Sequence, residues 1–97
     1  MKSQQIVVTS GNSPVTFPLN ERGGPRGVAA TPAGAGNYTV TYTLTDLESG
    51  NTVNPIPITE MTAETAIAAV EVGPATGIII TLNSGTSVTV DVTQSDV

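Results

Sequence analysis

The sequence predicts an all-β protein, and three observations support this class. First, large apolar residues alternate with threonine throughout Asn37–Asp46, which gives one strand an apolar face and a hydroxyl face. Second, two further alternating runs fill the last third of the chain. Third, turn-forming residues separate such runs at intervals of about ten residues. We therefore predict a small antiparallel β-sandwich, jelly-roll or immunoglobulin-like, of about seven or eight short strands.

The first half of the chain divides into short strands separated by turns. Ser3–Thr9 and Val15–Leu19 are predicted strands. Pro18 places the second one at the edge of a sheet, because proline has no amide hydrogen for the ladder. Gly27–Thr31 is a short candidate strand. The strand Asn37–Asp46 follows it, and its apolar face is expected in the core: Tyr38, Val40, Tyr42 and Leu44.

The second half contains one ambiguous segment and one clear pattern. Thr52–Thr59 is extended, but its two prolines make it a poor interior strand. Glu60–Val72 combines good helix formers with apolar alternation, so a strand is favoured and one or two helical turns stay open. Thr76–Asn83 and Thr86–Thr93 flank Ser84 and Gly85 and are predicted to form a hairpin with a tight turn. The hairpin is expected to share the core through Ile78, Ile80, Leu82, Val88, Val90 and Val92.

Composition favours one small domain that gains stability by assembling. The chain has 97 residues, one phenylalanine and two tyrosines, and neither tryptophan nor cysteine. Its core is therefore thin, and no disulfide reinforces it. We predict a single domain over 1–97, with 1–5 a flexible amino-terminal arm, that forms a homo-oligomer, most simply a trimer. The net charge of −5, with three basic residues, argues against nucleic acid and membrane surfaces as partners.

The inventory of reactive side chains argues against catalysis. Histidine and cysteine are absent and the single lysine is Lys2, so nucleophile–base pairs and zinc sites lack their usual residues. Asp46 and Glu48 precede a turn, where carboxylates are commonly solvated, and the segment around them lacks most ligands of a calcium loop. We expect a protein that is not an enzyme and that has no catalytic residue, metal or cofactor.

Contact with a partner is predicted for the glycine-rich loop Asn20–Gly27 and for one outward isoleucine. The two arginines of the loop can each pair with a carboxylate through two parallel hydrogen bonds. The loop's glycines allow close backbone approach, and its proline limits the freedom lost on binding. A solvated loop is the alternative. The candidate contact residues are Arg22, Gly24, Pro25, Arg26 and Ile79.

Three segments together carry a resemblance to a known class of proteins. They are Phe17–Asn20 (Phe-Pro-Leu-Asn), the alternating strand Asn37–Asp46 and the closing stretch Pro74–Val90. Their order and spacing resemble small structural proteins of tailed bacteriophages. The resemblance implies a virion protein that is made in the cytoplasm of the bacterial host.

Among the structural roles in such a particle, that of a capsid decoration (cement) protein agrees best with a small β-rich chain. Such a protein stabilises the head by bridging capsid subunits, and its partner would be the major capsid protein or another virion protein. A neck, tail or baseplate component is the alternative within the particle. A small carbohydrate-binding β-sandwich is the alternative outside it.

Overall fold

Two four-stranded antiparallel sheets form the protein, which confirms the predicted β-sandwich. The computed structural model describes residues 2–19, 26–33, 36–47, 50, 52–73 and 75–94. A 3₁₀ turn (Thr59–Met61) lies between the fifth and sixth strands. The strands are β1 (Lys2–Thr9), β2 (Val15–Pro18), β3 (Arg26–Pro32), β4 (Asn37–Thr43), β5 (Ile56–Pro57), β6 (Ala68–Val72), β7 (Gly77–Ser84) and β8 (Ser87–Gln94).

The strand order identifies the sandwich as a jelly roll. Sheet I has the order β1-β8-β3-β6, and sheet II has the order β2-β7-β4-β5. The pairs β1–β8, β2–β7, β3–β6 and β4–β5 are all antiparallel. They are the pairs of one long ribbon that is folded at β4–β5 and rolled into two sheets, which is the jelly-roll arrangement. In an immunoglobulin-like sandwich, by contrast, strands that follow each other in sequence pair repeatedly within one sheet.

The core lies between the inward faces of the two sheets, and period-2 alternation decides which side chains enter it. In β4, Tyr38 and Val40 are fully buried, and Tyr42 packs against the core from a half-buried position. The corresponding apolar positions of β7 and β8 are also buried, as predicted. The buried members of these two strands are Ile78, Ile80, Leu82, Val88, Val90 and Val92.

The predicted hairpin of β7 with β8 is wrong. β7 is hydrogen-bonded to β2 and β4 in sheet II, whereas β8 is hydrogen-bonded to β1 and β3 in sheet I. The two residues between them, Gly85 and Thr86, carry the chain from one sheet to the other, and Gly85 has a positive φ of 96°. Alternation predicts which face of a strand is buried but does not determine which strand it pairs with. The apolar faces of β7 and β8 therefore meet the same core from opposite sheets.

Leu44 does not belong to the core, contrary to the prediction from the alternating run. The strand ends at Thr43, and the Leu44 side chain is 61% exposed. Thr43 itself is fully buried: its Oγ1 accepts a hydrogen bond from the amide of Thr45 (3.1 Å), and its carbonyl accepts one from the amide of Thr76 (2.9 Å). These bonds turn the backbone out of the strand before the next apolar position.

The ambiguous segment Glu60–Val72 contains both conformations considered for it, a helical turn at its start and a strand at its end. Its start completes the 3₁₀ turn, which Met61 anchors by full burial, and its end forms β6. At the amino terminus, residues 2–5 are strand rather than the expected arm. They pair with Asp91–Gln94 because β8 is long enough to bond the whole of β1, so their backbone groups find partners in the sheet. Met1 lies outside the described residues.

Candidate functional site

Of the five predicted contact residues, the structure describes two, and these two lie in different sheets. Arg22, Gly24 and Pro25 lie outside the described residues. Arg26 begins β3, where its backbone pairs with Val72 of β6 in sheet I. Ile79 lies in sheet II, half-buried on the outer face, in one row with Thr16 and Thr41. The outward direction of Ile79 agrees with the prediction, and its contact with a partner stays a prediction.

The topology brings two of the three basic residues to the same end of sheet I. Lys2 begins β1 and pairs with Gln94 at the end of β8. Arg26 begins β3, which flanks β8 on its other side, since Gly27 pairs with Thr93.

An open groove lies between the edges of the two sheets on the opposite side from β1 and β2. One wall is β6 of sheet I, and the other is β5 with the 3₁₀ turn beside sheet II. The groove has a volume of about 270 Å³. Its lining residues are Tyr42, Pro57, Ile58, Thr59, Glu60, Val70, Glu71, Val72 and Gly73.

The 3₁₀ turn positions Glu60 beside the groove. The amide of Met61 donates to the carbonyl of Ile58 (2.9 Å), and the Thr62 hydroxyl donates to the same carbonyl (2.9 Å). Met61 is fully buried beneath the turn, so Glu60 is held at the exposed rim. On the other wall, Glu71 belongs to β6 and is exposed between Val70 and Val72. Because the side chains of these valines face the core, strand alternation directs the Glu71 side chain to the outer face of sheet I.

The groove is acidic and its polar groups are available. Within the described part of the chain, no hydrogen bond or ion pair engages the carboxylates of Glu60 and Glu71 or the hydroxyl of Tyr42. All the residues that line it are neutral or acidic. Such a groove can accept hydrogen bonds and attract a positive charge, and its apolar walls can cover the stem of a long side chain.

Tyr38, the other tyrosine of the β4 strand, is structural. Its side chain is fully buried, and its hydroxyl donates to the carbonyl of Ala66 (2.7 Å) across the end of sheet II. Burial, and secondarily the negative charge of Glu64, raise the pKa of Tyr38 above 10.0, the ordinary value for tyrosine. Tyr38 therefore packs in the core, as the alternating run predicts.

The residues that the structure describes include no group of three histidine, cysteine, aspartate or glutamate side chains that could hold a metal ion. Asp46 is exposed on the connection after β4, and Glu48 lies outside the described residues. The helical content of the described residues is one three-residue turn, which is far too short to cross a membrane.

Sequence reasoning did not identify the groove. Its walls come from two segments at least ten positions apart in the sequence, Pro57–Glu60 and Val70–Gly73, and a third segment contributes Tyr42. The local pattern around Glu71 showed only that this glutamate lies opposite the apolar face of its strand. The juxtaposition with Glu60 depends on β5 and β6 lying at the edges of different sheets, which the sequence pattern did not reveal.

No family model, curated protein or solved structure matches this chain. The fold, the surfaces and the sequence resemblance described above are therefore the grounds on which a function can be proposed.

Proposed function

We propose that this chain is a non-enzymatic structural protein of a tailed-phage particle, and specifically a decoration protein that bridges subunits of the capsid. The observation that carries the proposal is the strand order β1-β8-β3-β6 and β2-β7-β4-β5. This jelly-roll order recurs in viral capsid proteins, and also in lectins and cupins. The support is an analogy at the level of the fold, to which the three resembling segments add a second, independent line.

The surface properties agree with a role in binding rather than chemistry. The outer face of sheet I carries short side chains along its central strands, among them Ala29, Thr31, Thr89 and Thr93. On sheet II, Ile79 lies outward between threonines. Short side chains leave a sheet face open to close approach by another protein, and a half-buried isoleucine offers apolar area to it. We include self-association as a homotrimer in the proposal.

A carbohydrate-binding module is the second candidate, because jelly rolls also include lectins. The residues that line the groove include two glutamates and one aromatic residue, Tyr42. The other tyrosine, Tyr38, is fully buried and offers no ring surface to a sugar. Phe17 is half-buried in β2 and packs against the core. One available ring is a small stacking surface, so the particle protein is favoured.

The proposal is tested by adding the purified protein to particles that lack it and measuring occupancy against concentration. Binding on the order of hundreds of copies per particle supports decoration, whereas about a dozen copies would indicate a ring in the neck or tail. Absence of binding by the wild-type protein would refute the particle role. Binding to an array of polysaccharides instead would support the carbohydrate module.

The same titration examines the predicted arginine contacts. The double variant Arg22→Ala with Arg26→Ala should keep the fold and lose about 2–5 kcal/mol of attachment free energy if the guanidinium groups form buried pairs with carboxylates. A matched double variant with lysine at both positions keeps the charge but removes the bidentate hydrogen bonding of the guanidinium groups. Weakening by both variants would indicate bidentate pairs. Equal binding by all three proteins would move the contact away from this loop.

A further inference from the structure

We propose that the free edge of β1 pairs with β1 of a second copy of the chain, antiparallel and about a twofold axis at Gln5. Two copies of sheet I then form one continuous eight-stranded sheet. The inference does not depend on the proposed function, because it rests on the backbone of sheet I. The contact is twofold, so the predicted trimer would use other surfaces, since a threefold ring joins two different patches of each subunit.

Among the four edge strands described, β1 is the one least protected against pairing. Proteins commonly protect sheet edges by proline, by charged side chains or by keeping the edge strand very short. β2 has four residues and ends at Pro18, β5 has two residues and ends at Pro57, and β6 has five residues and carries Glu71. β1 has eight residues and, after Lys2 at its start, carries neither a charge nor a proline. Val7 on its outer face is 49% exposed, so this edge is long, uncharged and partly apolar.

The hydrogen bonds of β8 show which backbone groups of β1 face this edge. Successive residues of an antiparallel strand bond to the neighbouring strands on alternate sides. The carbonyl of Ser87 accepts a hydrogen bond from the amide of Ala33, which directly follows β3 (2.9 Å). The odd-numbered residues of β8 therefore bond to β3, and the even-numbered ones bond to β1, where they lie opposite Gln4, Ile6 and Val8. The N–H and C=O groups of the odd-numbered residues of β1 consequently face away from the sheet.

The side chain of Asn12 agrees with this direction and limits the part of the edge that is free. Its Oδ1 accepts a hydrogen bond from the amide of Thr9 (2.6 Å), and its Nδ2 donates to the carbonyl of Val7 (3.3 Å). Asn12 thus caps the end of the edge that lies next to the turn between β1 and β2. By the alternation above, the backbone groups of Ser3 and Gln5 and the amide of Val7 have no partner in the described part of the protein.

These free groups select one register for a second copy. Paired strands keep outer residues opposite outer residues. With Gln5 opposite Gln5 of the second copy, Ser3 lies opposite Val7, and the free groups of all three residues bond across the axis. A shift of two residues in one direction would place Ser3 opposite Thr9, whose amide Asn12 already holds. A shift of two in the other direction would place Val7 beyond the start of β1.

Apolar surface on the same side of the sandwich adds to the contact. Ile6 points inward from β1 but is half-buried, and Val15 and Phe17 of β2 are half-buried on the inner face of sheet II. β1 and β2 are the edge strands on one side of the sandwich, so a second copy paired at β1 shields part of this surface from water. The pairing therefore gains backbone hydrogen bonds and apolar burial together.

Sedimentation equilibrium and amide hydrogen exchange on the full chain test the pairing. We expect the mass to double reversibly, with a dissociation constant at or below about 1 mM. The amides of Ser3, Gln5 and Val7 should exchange more slowly in the associated state, whereas the amide of Thr9, which Asn12 holds, should not change. A mass that stays that of the monomer or the trimer up to about 1 mM, or slower exchange at another edge strand instead, would overturn the inference.

Charges introduced at Gln5 test the position of the twofold axis. Gln5→Lys and Gln5→Glu each place like charges directly opposite each other across the axis, so each should weaken association at least about fivefold. An equimolar mixture of the two variants places lysine opposite glutamate and should restore the wild-type affinity or exceed it. The matched control introduces the same two charges at Thr31, which is exposed on the outer face of sheet I two strands away, and should change the affinity less than about twofold. Association of the Gln5 variants equal to wild type, a mixture as weak as its components, or equal weakening by the control would overturn the inference.

Proline at the same position separates the backbone hydrogen bonds from the side chain. Because the amide of Gln5 faces the free edge, Gln5→Pro should keep the fold by circular dichroism and abolish association. Gln5→Ala is the matched control: it removes the same side-chain hydrogen bond to Asp91 (3.0 Å) but keeps the amide, and it should associate within about twofold of wild type. Loss of folding in Gln5→Pro alone would show that this amide bonds to β8 and would overturn the assignment of the edge, as would association of Gln5→Pro equal to that of Gln5→Ala.

Discussion

Two adjacent isoleucines of β7 provide a matched test of the sandwich. Ile80 is fully buried and lies between Val15 of β2 and Val40 of β4, whereas Ile79 is half-buried on the outer face beside Thr16 and Thr41. The substitutions Ile80→Ala and Ile79→Ala remove the same atoms from the same strand. The difference between their losses in unfolding free energy therefore compares the environments of the inner and outer faces of β7.

The expected losses follow from burial. Ile80→Ala leaves a cavity in the core and should cost about 2–5 kcal/mol. For Ile79→Ala, part of the removed apolar surface is already in water and solvent can occupy the space, so the cost should be about 1 kcal/mol. A domain of this size has a total stability of about 5–15 kcal/mol. The first variant should therefore lose about 8–40 °C in Tm, and the second about 4–8 °C.

Urea unfolding, followed by far-ultraviolet circular dichroism at one fixed protein concentration, gives the loss of unfolding free energy for each variant. Should Ile80→Ala fail to fold, Ile80→Val provides the measurement, with an expected loss of about 0.5–1.5 kcal/mol. A loss for Ile79→Ala equal to or larger than that for Ile80→Ala would refute the assignment of the inner and outer faces. A defect of Ile79→Ala in particle attachment, with stability little changed, would instead support the outer face of sheet II as an interface.

Three more predictions follow from the structure. Tyr38→Phe removes the hydrogen bond to Ala66 and should cost about 1 kcal/mol in urea unfolding. Because the pKa of Tyr38 is raised in the folded state, its protonation contributes stability below pH 10, the ordinary tyrosine pKa, which is lost as the pH rises through the folded value. Wild type should thus lose stability relative to Tyr38→Phe in alkaline titrations. Ala63 has a φ of 49°, so Ala63→Gly should leave stability unchanged or raise it by about 1 kcal/mol in thermal unfolding, and a loss would refute the strain. If the protein is a trimer, Tm should rise with protein concentration, and a constant Tm over a hundredfold dilution with a monomer mass would contradict self-association.

The sequence predicted the faces of the strands well and their neighbours poorly. Alternation placed Tyr38 and Val40 in the core because strand geometry alone determines the side to which a residue points. The partner of each strand depends on distant segments, so β7 and β8 were wrongly joined as a hairpin around Gly85. The end of β4 before Leu44 also escaped prediction, since it depends on a hydrogen bond from Thr76, more than thirty positions along the chain. The groove was missed for the same reason.

The central positions of β7 and β8 have a consequence for biosynthesis. These strands are the last two of the eight in chain order, yet β8 separates β1 from β3 in sheet I, and β7 separates β2 from β4 in sheet II. Neither sheet is complete until its central strand has left the ribosome: β1 and β2 emerge without any strand partner, and β3 and β4 emerge with only one of their two. Folding through such distant pairings is slow, and unpaired strands are prone to associate with other chains. The chain is therefore expected to fold after translation and to need protection from aggregation before it does.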